Sequence, residues 1–274
     1  MARVHLDPHL DHQVEFEAVS LTVLRAQRRK GSGRGDRLRR MASETRRVAH
    51  PVIQDVSVVI EPGECVGLVG RGRDAGLIEV LRLSAGTLIP DEGVVRRREA
   101  VIPILRRVGL VNGGLTVRQN IYVIGILLGM SPDQITAELD WIVESAGLAK
   151  FLDTYARTCP PPLRRRIAWT VAMATRSRTF AIHGALIMGD EQYREFCWSH
   201  VESLKADGVT FLIADQAPDE LERFCERGLV FENGRLIADT SMTEALAMTG
   251  RRTRDNEDDN TPDEPDVRED IDDW

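Results

Sequence analysis

The sequence has few cysteines, few aromatic residues and no long apolar run. The four cysteines among its 274 residues lie far apart and form no CxxC pair, so the sequence predicts neither a zinc site nor a disulfide framework. The longest apolar stretch, residues 121–130, is much shorter than the roughly 18 residues of a membrane-spanning helix. The first residues include Asp7 and Asp11 and lack the apolar segment of a signal peptide. We interpret the cysteines as reduced thiols in a core: Cys65, Cys159, Cys197 and Cys225.

The composition is that of a folded protein, but its charge is unevenly distributed. Apolar residues make up 42% and charged residues 29% of the chain, which excludes a disordered or collagen-like protein. The net charge of −7 comes from the end of the chain, because residues 255–274 hold eleven acids and one base. Residues 25–47 hold nine arginines and one lysine against two acids. We call these segments the acidic tail and the basic arm, and expect the tail to be disordered.

The basic arm is open to several interpretations. It is a solvated loop, or it contacts the acidic tail, a permease or the anionic surface of a membrane. It has no interleaved aromatic residues on which bases would stack, so we expect no nucleic acid partner. We predict a loop or a loosely held helix for its backbone.

The first half of the chain indicates a phosphate-loop framework. Residues 14–22 and 52–60 alternate apolar and polar side chains, as half-buried strands do. Residues 65–69 (CVGLV) form the continuous apolar run of a strand buried on both faces. A glycine-bearing stretch at 70–76 and a helical pattern at 77–85 follow. Strand, glycine loop and helix in this order are typical of a phosphate-binding loop.

The second half predicts an all-helical stretch followed by alternating strands and helices. Such alternation favours a largely parallel sheet, interrupted by a helical subdomain at about 115–175. Asn233 and Gly234 have the composition of a hairpin turn. The predicted helices span 115–130, 131–146, 163–175, 191–206 and 219–227, and the predicted strands span 179–182, 209–214 and the hairpin 229–237.

Five segments carry a family resemblance. They read CVGLVGR (65–71), LRLSAGTLIPDEG (81–93), LTVRQNIYVIGILLGM (115–130), MGDEQYREFC (188–197) and FENGRLIAD (231–239). In order and spacing they resemble the ATP-binding subunits of ABC transporters, and above all the branch that exports polysaccharide, O-antigen and teichoic acid. The resemblance covers about residues 14–245, nearly all of the foldable chain.

The resemblance implies an architecture and a set of partners. It implies a P-loop NTPase-like α/β fold (an ABC nucleotide-binding domain) with a mainly parallel sheet, an antiparallel β subdomain and an inserted helical subdomain. We expect an N-terminal segment at 1–13, this domain at 14–250 and the tail at 251–274. The family's cofactors are ATP and magnesium. Its partners are a membrane permease and a second ATP-binding subunit, in a homodimer or heterodimer at the inner face of the cell membrane.

The phosphate loop departs from the family pattern. A working loop reads GxxxxGK[ST], in which the lysine bridges phosphates and the hydroxyl holds Mg²⁺. If Gly76 is the last loop glycine, Leu77 replaces the lysine and Ile78 replaces the hydroxyl. Asp74 would repel a polyphosphate, and Arg71 and Arg73 would offset part of that repulsion. The candidate nucleotide-binding residues are Gly70, Arg71, Gly72, Arg73, Asp74, Ala75, Gly76, Leu77 and Ile78.

The other family motifs also lack their functional residues, so we assign no catalytic residue. His183 and Gly184 stand where the family has the Mg²⁺-organising Asp and the catalytic Glu, and Asp215 replaces the switch histidine. The signature segment has three prolines at 160–162, for which we expect an extended backbone instead of a helix N-terminus. Residues 111–114 contain no glutamine, and no aromatic residue stands near Val23 to stack on adenine.

Three functional hypotheses follow. The first is a catalytically degenerate subunit of a polysaccharide exporter, with a structural or regulatory role beside a permease. Gly189 and Asp190, which match a pair at the family's dimer contact, are its candidate dimer residues. The second is an active ATPase with a non-standard site. The third is a cytosolic scaffold derived from the same fold.

Overall fold

A computed structural model describes residues 3–27, 46–71, 75–105, 110–184, 191–214 and 217–250. The centre of the basic arm, Gly72 to Asp74, Gly189, Asp190, Asp215 and the acidic tail lie outside the described residues. The strands are β1 (Arg3–Leu6), β2 (Val14–Gln27), β3 (Arg46–Ile60), β4 (Cys65–Arg71), β5 (Glu92–Arg97), β6 (Ile102–Leu105), β7 (Thr179–His183), β8 (Thr210–Ala214), β9 (Arg227–Glu232) and β10 (Arg235–Ser241). The helices are α1 (Leu77–Ser84), α2 (Val117–Leu127), α3 (Pro132–Ala146), α4 (Pro161–Met173), α5 (Glu191–Ala206), α6 (Pro218–Phe224) and α7 (Met242–Thr249).

Four strands form a mainly antiparallel sheet in the order β1-β5-β2-β3. Neither β1 nor β5 was predicted from the sequence, and β1 lies within the segment that we expected to precede the domain. The long β2 and β3 remain paired as far as Gln27 and Arg46. Both ends of the basic arm are therefore strands, which corrects our prediction of a loop or helix there. The backbone hydrogen bonds between β2 and β3 continue along both strands into the arginine-rich segment and hold it extended.

Six strands form the second sheet, in the order β10-β9-β4-β8-β7-β6. β9, β4, β8, β7 and β6 are parallel, and β10 joins the edge as an antiparallel hairpin partner of β9. The predicted mainly parallel sheet is confirmed. So is the hairpin turn, where Asn233 and Gly234 both adopt positive φ angles of 50° and 78°, as the favoured two-residue turn requires.

The parallel sheet is buried on both faces. Phe180 and Ile182 of β7 point into a core formed with α4 to α7, whereas Ala181 points into the core shared with α1 and the antiparallel sheet. β8 alternates in the same way, with Phe211 on the first face and Leu212 on the second. This two-sided burial explains why these strands read as continuous apolar runs.

The chain between β6 and β7 forms a separate layer of three helices. The two strands pair directly, while α2, α3 and α4 bury their own cluster of aliphatic side chains. α3 begins as predicted, with Ser131 in a capping box and Pro132 in the first turn. Trp169 of α4 is fully buried, whereas Trp141 and Trp198 are only partly buried. No helix in the described ranges combines the length and apolar character needed to cross a bilayer.

Candidate functional site

The candidate site lies at the carboxyl edge of the parallel sheet. β4, β7 and β8 end there at Arg71, His183 and Ala214, and His183 stands in register with Ala214. α1 begins at the same edge, immediately after Gly76. Ligands of open α/β sheets bind at this edge, so the fold brings most of the sequence-predicted residues to a suitable place.

The two glycines that frame the loop are required by close packing. A β-carbon on Gly70 would lie 2.4 Å from that of Ala75, so the two ends of the loop touch. Gly76 has a φ of 78°, and a β-carbon there would lie 2.4 Å from the carbonyl oxygen of Val52. Only glycine fits both positions. Gly72, Arg73 and Asp74, the other predicted loop residues, lie outside the described residues.

The first turn of α1 offers backbone groups but no suitable side chain. Gly76 precedes the helix without a side-chain cap, so the first N–H groups and the helix dipole face the loop. Leu77 packs against the core, and Ile78 is 37% exposed. Glu79 adds a negative charge to this turn. The turn therefore has neither the cation nor the hydroxyl that would hold a phosphate and Mg²⁺.

Arg71 is engaged elsewhere. Its Nε lies 3.6 Å from Oε1 of Glu232 on the neighbouring strand β9, and both side chains are nearly half exposed. A surface pair of this kind contributes little to stability. It does, however, give the guanidinium a carboxylate partner, so Arg71 is a weak candidate for contacting a phosphate.

The ends of β7 and β8 do not supply a magnesium site. His183 is half-buried, and Gly184 donates its N–H to the carbonyl oxygen of Ala214 at 3.1 Å. Within the described ranges, no cluster of three or more His, Cys, Asp or Glu side chains is placed to hold a metal ion. Mg²⁺ prefers carboxylate and phosphate oxygens, so the side chains described at this edge do not fit Mg²⁺ bound to a nucleotide.

The three prolines correct one of our expectations. Only Pro160 is extended, with φ −49° and ψ 135°, and α4 begins at Pro161. The N–H of Arg164 donates to the carbonyl oxygen of Pro160 at 3.0 Å. Proline is tolerated in a first turn because the N–H groups that it lacks have no partner within the helix. The signature segment thus forms a helix N-terminus, although Pro161 and Pro162 remove two of its N–H donors.

The loop before α2 depends on Asn120, which we did not predict from the sequence. The side chain of Asn120 is fully buried. Its Oδ1 accepts from the N–H of Asn112 at 2.7 Å, and its Nδ2 donates to the carbonyl oxygens of Asn112 and Thr116, both at 2.9 Å. This side chain fixes the loop where the family has its nucleotide-sensing segment. The only signal in the sequence is one asparagine among the apolar residues of α2.

The four cysteines are buried, and none forms a disulfide, which confirms their interpretation as core thiols. Burial raises the pKa of Cys197 to about 12 and raises the pKa of Cys159 as well. Cys65 Sγ lies 3.4 Å from Cys225 Sγ. Cys159 and Cys197 therefore remain protonated at neutral pH and are unsuited to nucleophilic chemistry.

Solved structures share the fold. A structure of an ATP-binding subunit of an ABC transporter matches with a TM-score of 0.66 at 17% identity, over 88% of this chain and 94% of that one. A dimeric, post-hydrolysis structure of the ATP-binding cassette MJ0796 bound to ADP and Pi matches with a TM-score of 0.64 at 16% identity, over 84% and 99% of the two chains. The predicted ABC-type α/β fold is confirmed.

Sequence relatives identify the family more specifically than the solved structures do, although no protein-family profile matches the chain. The O-antigen export system ATP-binding protein RfbB of Klebsiella pneumoniae is 30% identical over 67% of this chain and 74% of its own length. The Nod factor export ATP-binding protein I of Paraburkholderia xenovorans is 30% identical over 72% and 68%. The ABC transporter protein AbcA of Aeromonas salmonicida is 28% identical over 68% of this chain. The match spans only 60% of the length of AbcA. The chain belongs to the family of ABC transporter ATP-binding proteins, and its relatives include ATP-binding proteins of O-antigen export and Nod factor export.

Proposed function

We propose that this protein is a catalytically degenerate ATP-binding subunit of a cell-surface polysaccharide exporter, with a structural or regulatory role. One observation carries the proposal. At the carboxyl edge of the sheet, Leu77 and Ile78 replace the lysine and hydroxyl of a working phosphate loop, and His183 and Gly184 replace two carboxylates. Loss of a general base alone costs about 10² to 10⁴ in rate. The combined departures favour a protein that kept the fold without hydrolysis.

The proposed partners follow from the relatives. The name of RfbB places that protein in an O-antigen export system, and we extend this role to the present chain together with a permease. MJ0796 was solved as a dimer, so we propose pairing with another ATP-binding subunit, and an intact ATPase partner would supply the missing chemistry. Gly189 and Asp190 remain the proposed dimer residues.

The proposed location and domain limits follow from the same role. Attachment to a permease would hold the protein at the cytoplasmic face of the cell membrane. We propose a nucleotide-binding domain at 14–250 with a helical subdomain at about 115–175. Any residual anion site would use the loop from Gly70 to Ile78, through the backbone N–H groups at the start of α1.

Titration with a fluorescent ATP analogue tests the proposal. We expect binding to be weak and independent of Mg²⁺, because a helix N-terminus attracts anions without selecting ATP. RfbB of Klebsiella pneumoniae is the matched control, measured under the same conditions. Micromolar, Mg²⁺-dependent binding by this chain, accompanied by turnover, would contradict the proposal and favour an active ATPase with a non-standard site.

A further inference from the structure

A cleft lies at the opposite edge of the parallel sheet, where β7 and β8 begin. Its volume of about 370 Å³ is within the range of small-molecule sites. Its walls come from α3, from the segment between α4 and β7, and from α5 with the turn that follows it. The length of β7, roughly 15 Å at the rise of a strand, separates this cleft from His183. The cleft is therefore distinct from the candidate nucleotide site.

The floor of the cleft is apolar and includes two flat rings. Met173, Leu204 and Val209 line it together with Trp141 and His200. The Trp141 and His200 ring centroids lie 5.3 Å apart. Nε2 of His200 is buried and makes no hydrogen bond within the described part of the chain. This floor suits one planar aromatic group, which would bury its faces against rings and aliphatic carbons.

The rim has balanced charges. Arg176 donates to Glu138, and these two charges offset each other. Arg178 Nη2 donates to the backbone carbonyl oxygens of Asp207 and Gly208, both at 3.3 Å, which places its guanidinium beside residue 207. Among the described residues, neither Arg178 nor Asp207 forms an ion pair. One cation and one anion are thus available next to each other at the mouth of an aromatic cleft.

Arg176 also has an unusual backbone. Its φ of 54° lies in the left-handed region, which is unfavourable for a residue that carries a side chain. Its side chain lies at the rim of the cleft. Here it closes one side of the rim by pairing with Glu138 of α3.

We propose that this cleft binds a free amino acid with an aromatic side chain. The aromatic ring lies on the floor against the adjoining rings of Trp141 and His200, the carboxylate accepts hydrogen bonds from Arg178, and the ammonium group donates to Asp207. A zwitterion matches a rim of zero net charge. An aromatic anion would leave Asp207 uncompensated, and an aromatic cation would leave Arg178 uncompensated.

Calorimetric titration of the full chain with L-tryptophan and L-phenylalanine tests the proposal. We expect saturable binding with one site, weakened about tenfold by Arg178→Gln and by Asp207→Asn, because each substitution removes a charge-assisted hydrogen bond. Arg165→Gln, at an exposed arginine of α4, is the matched control and should bind like the unmodified protein. Thermal unfolding of each variant confirms that it folds.

Ligands that lack one charge identify which rim residue they contact. Indole-3-propionate lacks the ammonium group, so Arg178→Gln should weaken its binding while Asp207→Asn should not. Tryptamine lacks the carboxylate and should give the reverse pattern. The proposal is overturned if L-tryptophan does not bind at millimolar concentration, if both substitutions leave its affinity unchanged, or if indole-3-propionate binds as tightly as L-tryptophan. None of these readouts depends on nucleotide binding.

Discussion

The side chain of Asn120 holds the backbone of Asn112 by two hydrogen bonds, one accepted by its Oδ1 and one donated by its Nδ2. Nδ2 also donates to the carbonyl oxygen of Thr116. This buried amide joins the first turns of α2 to the loop that precedes it. It therefore couples the helical layer to the loop at 112–116.

Replacement of Asn120 should be strongly destabilising. Asn120→Leu would leave the N–H of Asn112 without its partner, at a cost of about 1–3 kcal/mol, while the carbonyl oxygens of Asn112 and Thr116 would keep their backbone donors. We expect the free energy of unfolding in urea to fall by about 2 kcal/mol. Gln119→Leu, which removes only the exposed capping-box side chain, should cost about 1 kcal/mol. Equal losses in the two variants would contradict this assignment.

Gly76→Ala should destabilise the start of α1. The substitution combines a left-handed backbone, which costs about 1–2 kcal/mol for alanine, with a contact of 2.4 Å to the carbonyl oxygen of Val52. Gly129→Ala is the matched control, because Gly129 has a φ of 91° but has nothing within 4 Å of the added carbon. We expect a larger drop in melting temperature for Gly76→Ala. Similar drops would show that the close contact is unimportant.

His200 should make the protein less stable as the pH falls. Burial lowers the pKa of His200 from 6.5, so the unfolded chain takes up a proton first and stability declines below about pH 6.5, until the lower folded pKa is reached. His200→Phe should remove this part of the decline.

The pKa of His12 is shifted in the opposite direction to that of His200, so His12 serves as a control. A hydrogen bond to Glu61 raises the pKa of His12, so its contribution to stability is complete below pH 6.5 and is lost as the pH rises through the folded pKa. His12→Gln should leave the loss of stability on acidification intact. The assignment to His200 is wrong if His200→Phe and the unmodified protein lose stability equally between pH 7 and pH 5.5.

The cysteines should resist thiol reagents in the folded protein. All four are buried, and burial raises the pKa of Cys197 to about 12, so the reactive thiolate is scarce at pH 8. We expect an aromatic disulfide reagent to label the native chain slowly and to label all four cysteines in denaturant. Rapid labelling of one cysteine in the native protein would identify an accessible thiol that this fold does not contain.

Most of the fold could be predicted where local chemistry and tertiary packing agree. The hairpin turn at Asn233 and the start of α3 at Ser131 could be predicted because each uses a residue type that strongly prefers the backbone conformation found there. The strands β1, β5 and β6 were missed. β5 (EGVVRR) has too few apolar residues to alternate clearly, and its strand conformation depends on pairing with β1 and β2.

The candidate site could be predicted less completely. The framing glycines at 70 and 76 were identified from the strand, loop and helix pattern, and the structure explains both by close packing. The pairing of Arg71 with Glu232 depends on the neighbour relation of β4 and β9, which the sequence does not contain. The three prolines were misjudged, because a helix tolerates proline in its first turn.

Steady-state phosphate release from ATP with Mg²⁺ tests the central claim most directly. The account predicts that the purified chain releases phosphate no faster than a protein-free blank, while RfbB of Klebsiella pneumoniae shows turnover in the same assay. The contradicting result is turnover by this chain that falls when His183 is changed to alanine, because a contaminating ATPase would not respond to that substitution.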